Sequence, residues 1–220
     1  REMTDAIEGI RQVMAEMEMP AGYFTNLEGS YQAQEEASKS IAGLALVSLA
    51  MIFVVLYSRY HNISLVLVIM AIIPLAMIGG IIGLWVMSEP LSIASMFGFV
   101  TLAGISARNG ILKVSHYINL VLHEGETFGR DLILRGSDER LAPVLMTTLA
   151  AGVALVPLLF GAQDPGKEIL HPVAVVIFFG LIVAVTLDAM LTPVLFHAFG
   201  RKPLDRLLAE RDEMKVQEAF

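Results

Sequence analysis

Gly104-Ile105-Ser106-Ala107-Arg108-Asn109-Gly110 sets a permanent charge and a cluster of small residues into a long apolar stretch. A charge at bilayer depth costs on the order of 2.5–3.5 kcal/mol on insertion scales. Such groups usually face a partner or a water-filled path, and they mark where protons, ions or substrates move. Outward from this segment, the chain carries uncharged runs at 40–58, 62–88, 90–107, 141–163 and 169–187. Each reaches the roughly 18 residues of a membrane-spanning helix. The runs are too long and too evenly apolar for the alternating strands of a barrel, so helices are the expected spanning element. The expected fold is an all-α membrane protein, a bundle of five transmembrane helices at about 40–58, 62–88, 91–119, 141–161 and 169–198. The chain reads first as part of a transporter.

Composition agrees. Charged residues make up 17% of the 220 positions, against roughly 25% in an ordinary soluble domain. No signal peptide is expected, because no basic segment and cleavage site precede the first run. With no cysteine, disulfides and thiolate metal sites are excluded. The net charge of −7 argues against a nucleic-acid partner. The chain opens at Arg1 with an amphipathic polar segment and reads as a piece of something longer. In residues 1–38, Thr4 is placed to cap a helix that puts Ile7, Ile10, Val13, Met14 and Met17 on one face. Pro20 and Gly22 stop it, and Tyr23-Phe24-Thr25 reads as a short strand. So small a helix and strand cannot bury a core alone, which suggests the edge of a larger domain.

Basic residues set the expected orientation. With five spans, Arg59, Arg130, Arg135, Arg140, Arg201, Lys202, Arg206, Arg211 and Lys215 fall on one side. Arg1, Arg11, Lys39 and Lys167 fall on the other, with Arg108 and Lys113 left in the third span. Nine against four places the 120–139 loop and the 201–220 tail in the cytoplasm, and the head outside.

Packing signals lie within the runs. Gly79 and Gly83 permit close helix approach. Gly180, Ala184, Asp188 and Thr192 repeat every four residues along one face of the fifth span. Pro74, Pro157 and Pro193 should kink or locally unwind their helices.

The run from Gly104 to Leu112, followed by Arg140-Leu141-Ala142-Pro143-Val144-Leu145-Met146-Thr147-Thr148, resembles the resistance–nodulation–division (RND) efflux pumps. Pro165-Gly166-Lys167-Glu168-Ile169-Leu170-His171-Pro172-Val173-Ala174 looks most like their heavy-metal branch, the CzcA/CusA type. The resemblance implies the end of a periplasmic porter subdomain (1–38, a small α+β remnant), the last five spans of the second membrane half (39–200) and a cytoplasmic tail (201–220). It also implies a homotrimeric inner-membrane pump of a Gram-negative cell, driven by proton influx. Such a pump exports heavy-metal cations or organic toxicants through a periplasmic adaptor and an outer-membrane channel. An aspartate in the other half would face a basic residue here, and Arg108 stands where drug exporters carry a lysine. Guanidinium is effectively always protonated, so Arg108 would be a fixed counter-charge. Some metal exporters place a carboxylate close to this position, where this chain has Ala107-Arg108-Asn109. The alternative is a non-transporting or truncated RND-like module acting in sensing or assembly.

Each candidate has a plainer reading beside the functional one. Thr101, Gly104, Arg108 and Ser115 share one helical stripe, giving the arginine a polar, uncrowded face. The plainer role for Arg108 is a structural ion pair. Asn109 joins the relay or serves as interhelical glue. Asp188, the one acidic side chain inside an apolar run, carries protons or holds helices together. Thr147 matches a relay hydroxyl in the family, or satisfies a carbonyl near Pro143. Lys113 lies about 7.5 Å further along the axis than Arg108 and about 140° around it, and is expected to snorkel toward the cytoplasmic interface. The twelve methionines suit soft metals but also fill irregular gaps, and the scattered histidines lack the spacing of a zinc site. No nucleophile–base constellation or phosphate-binding loop appears, so neither an enzyme nor a bound cofactor is expected.

Overall fold

The computed structural model describes residues 9–10, 12–14, 30–160, 166–167 and 169–218. Within the expected head helix, residues 9, 10 and 12–14 are helical, while the Thr4 cap and the strand at 23–25 lie outside the described residues. The chain divides into two compact units, Arg1–Ala37 and Ser38–Phe220. From Ser30 onward the described residues form α1 (Ser30–Tyr60), α2 (Ile63–Met70), α3 (Ile72–Met87), α4 (Ile93–Glu124), α5 (Arg130–Leu159), α6 (Leu170–Phe199) and α7 (Arg201–Glu218). No strand occurs among the described residues.

Local chemistry places the ends. Asn62 caps α2, its side chain accepting from the Ser64 N–H at 2.9 Å. The run expected as one span, 62–88, is broken at Ala71. Pro74 explains the break, because it cannot donate to the Met70 carbonyl and its ring crowds that group. Pro157 and Pro193 stay inside continuous helices. Ser88 closes α3 in the left-handed conformation (φ 54°), one turn after Trp85, which is 82% exposed. Ser92 and Ser95 form a reciprocal capping box that starts α4. Gly125, at φ 75°, ends it in a conformation that favours glycine.

Four segments are long and apolar enough to cross a membrane: Gln34–Tyr60, Ile63–Met87, Arg130–Leu159 and Leu170–Phe199. The described helix α4 is not among these four, because its small and polar residues and Arg108 dilute its apolar character.

Helix α6 is the centre of the bundle. The Gly79/Gly83 pair lets α3 lie directly on it: a Cβ at Gly79 would sit 2.6 Å from Val183 Cβ, and one at Gly83 2.6 Å from Phe179 Cβ. Residue numbers rise in one helix as they fall in the other, so α3 and α6 are antiparallel. Helix α4 packs on the same core in parallel, with Gly98 against Val176 and Leu102 against Gly180. The stripe read from sequence, Gly180, Ala184, Asp188 and Thr192, is buried throughout. Helix α5 returns antiparallel to α4, with Gly136 against Tyr117.

Candidate functional site

Helix α4 presents two chemically different faces. Thr101, Gly104, Arg108 and Leu112 are exposed, at the three- and four-residue steps of a single stripe. A Cβ built on Gly104 would meet nothing within 4 Å. No hydrogen bond or ion pair to Arg108 forms among the described residues. Ser115, expected on the same stripe, is half-buried and shares a 2.6 Å hydrogen bond with the Tyr60 hydroxyl of α1. The upper part of the stripe is therefore open, and the lower part is closed by α1.

The other face holds a second charge. Lys113 is only 5% exposed and Asp188 only 3%. The Lys113 ammonium donates to Asp188 Oδ2 at 3.1 Å and to the Asp188 backbone carbonyl at 2.9 Å. Thr192, fully buried one turn further along α6, donates its hydroxyl to Asp188 Oδ1. Both carboxylate oxygens are thus engaged. The expectation that Lys113 snorkels to the interface is overturned: its rotation of about 140° from Arg108 turns it into the bundle, onto α6. Breaking such a pair strands a buried charge, at a cost of about 3–5 kcal/mol.

The remaining candidates lie elsewhere. Asn109 is buried, 6% exposed. Thr147 is exposed on α5 and donates to the Val144 carbonyl at 3.0 Å, the local satisfaction expected near a proline. Arg108, Asn109, Thr147 and Asp188 thus occupy an open face of α4, the interior, the open side of α5 and the α4–α6 seam. One signal could have revealed the Lys113–Asp188 pair. Lys113 stands twenty residues past the start of α4 and Asp188 eighteen past the start of α6, so parallel helices bring them to nearly the same depth.

Beyond the pair, the polar links turn toward the α4–α5 connection. Tyr117, fully buried, shares a 2.7 Å hydrogen bond with Ser137 of α5, and its ring lies 4.8 Å from that of Phe196. His116 meets Glu139 at 2.8 Å. Arg135 binds Glu139 at 2.9 Å and Glu126 at 2.7 Å, and also pairs with Glu124. These exposed pairs tie the helix ends together without burying charge.

A model of the AcrB/AcrD/AcrF family matches residues 2–200. The cobalt-zinc-cadmium resistance protein CzcA of Cupriavidus metallidurans is 32% identical over 194 residues, covering 88% of this chain and 18% of the relative. The multidrug resistance protein MdtC of Photorhabdus laumondii is 31% identical over 199 residues, covering 90% and 19%. The crystal structure of a heavy metal efflux pump superposes with a TM-score of 0.77 at 26% identity, over 91% of this chain and 20% of that one. The chain thus spans about a fifth of the length of the proteins it matches.

Proposed function

The chain belongs to the AcrB/AcrD/AcrF family of RND transporters, and on that premise we propose that it is the C-terminal membrane part of a proton-driven efflux pump. Its substrates are heavy-metal cations in this reading, with organic toxicants second, since similar proteins carry both kinds of name. Helix α4 crosses the inner membrane as the third of five spans, and residues 1–38 belong to a periplasmic porter subdomain of α+β type. The tail is cytoplasmic, and the pump is a homotrimer joined to an adaptor and an outer-membrane channel.

One observation carries this reading. Arg108 sits exposed on α4, on the same stripe as Thr101 and Gly104, with no partner among the described residues. A guanidinium in hydrocarbon requires a counter-charge or water, and α4 leaves room for a close neighbour at Gly104. An acid from the other membrane half supplies that counter-charge. Arg108 remains protonated and holds the acid ionised, because a nearby opposite charge favours the carboxylate. A proton arriving on the acid weakens the pair, and the two halves shift as populations change. Thr147, exposed on α5, offers a hydroxyl to the same proton path; Asn109 is buried and acts in packing.

Resistance and proton-dependent efflux in the full-length pump test this. Arg108→Ala should leave insertion and trimer formation intact and abolish efflux. Arg108→Lys should retain partial activity, because the charge persists while the planar fork is lost. Near-wild-type efflux in Arg108→Ala would remove the relay assignment.

A further inference from the structure

The Lys113–Asp188–Thr192 cluster is buried on the seam between α4 and α6. We propose that it is an electrostatic pin that fixes the rotation of α4 about its own axis, and so aims Arg108; the proposal rests on the relay reading of Arg108 given above.

Geometry supports a fixed pin. Lys113 reaches both the side chain and the backbone of Asp188, while Thr192 occupies the second carboxylate oxygen. A side-chain contact alone would let the helices slide, whereas a second bond to a backbone atom registers one helix on the other. From α4 the cluster faces Lys113 and, one turn on, Tyr117, whose hydroxyl is engaged by Ser137 of α5. Each carboxylate oxygen accepts a hydrogen bond, from Lys113 on one side and Thr192 on the other, so the orientation of the group on α6 is fixed.

The attachment point is also informative. Asp188 lies in the turn before Pro193, which has no N–H for the Ala189 carbonyl. Lys113 therefore clamps α6 one residue before the carbonyl that Pro193 leaves without an N–H. Upstream, α4 and α6 are held by apolar contacts at Gly98–Val176 and Leu102–Gly180, and such contacts are non-directional. The lysine adds direction.

Rotation matters because Arg108 lies about 140° around α4 from Lys113. With side chains reaching about 5–6 Å from the axis, a 20° roll would displace the Arg108 end by about 2 Å. Functional constellations tolerate about 0.5 Å. Lys113 and Asp188 are thus positioning residues that act through Arg108.

Charge removal in the full-length pump tests the pin. Lys113→Met and Asp188→Leu should each lower efflux per assembled pump on the order of tenfold. The double variant Lys113→Met/Asp188→Leu strands no charge, so it should assemble as the wild type does and still show about tenfold lower efflux, with the wild-type pH profile. A double variant that fails to assemble, or that restores wild-type efflux, overturns the pin. So does wild-type efflux in either single variant, or a double variant with a displaced pH profile. The Arg108→Ala pump assayed beside them separates two failures. Efflux lost there but retained in Lys113→Met sinks the pin alone. Efflux retained in Arg108→Ala sinks the relay, and with it the reason for aiming Arg108.

Discussion

Gly83 lies so close to Phe179 that a Cβ on the glycine would come within 2.6 Å of the Phe179 Cβ. The neighbour is a backbone-proximal atom, not the tip of a flexible chain, so it cannot swing away. Together with Gly79 against Val183, this contact makes α3 and α6 a tightly joined pair, and the bundle is organised around it.

Gly83→Ala is therefore expected to destabilise the bundle by about 1–3 kcal/mol through overpacking. Gly104→Ala, with open space around its Cβ, should leave the isolated chain as stable or up to about 1 kcal/mol more stable, from helix propensity. Unfolding in detergent or bicelles measures both, and equal effects would refute the close-packed seam.

Tyr117→Phe removes the hydroxyl bond to Ser137 but keeps the ring beside Phe196. The expected loss is about 0.5–1.5 kcal/mol, or more if Ser137 is left unsatisfied. Tyr117→Ala should cost about 3–5 kcal/mol, because a fully buried ring is deleted. Comparing the two in the same unfolding assay separates the hydrogen bond from the packing.

A cysteine at Arg135 or Arg206 should react with an impermeant thiol reagent only from the cytoplasmic side, since the basic residues collect there. These 220 residues hold no cysteine, so within this chain the label reports the introduced site alone. Labelling from the periplasm would reverse the topology.

Reconstituted alone, the chain should show no substrate flux driven by a pH gradient, because in the proposed reading the proton-accepting acid belongs to the other membrane half. Flux that collapses with the gradient would show that the chain contains both partners of the relay.

Much of the bundle was legible in the sequence, because lipid exposure demands runs of apolar residues and close packing demands small ones. The stripe from Gly180 to Thr192 and the Gly79/Gly83 pair could be read directly from spacing. The break at Ala71 follows from Pro74, though only its neighbourhood was predictable. What spacing could not supply was adjacency. Lys113 was expected at the interface because a lone lysine near a span end usually snorkels, and only the parallel packing of α4 on α6 reveals that Asp188 lies across from it. Asp188 stays open between proton carriage and packing on spacing alone, and its contact with Lys113 was likewise beyond the reach of spacing. Arg108 was recognised from chemistry, since a fixed charge in an apolar run is conspicuous; that it meets no partner among the described residues required the structure.

Trp85 is the single tryptophan of the chain and stands almost fully exposed at the end of α3. Its indole is therefore a built-in optical gauge. Emission colour and quenching by lipids brominated at known carbons would report how deep that helix end sits, in an unmodified protein. Because the Ser88 cap lies one turn away, the same light would register fraying of the α3–α4 connection before the rest of the bundle yields.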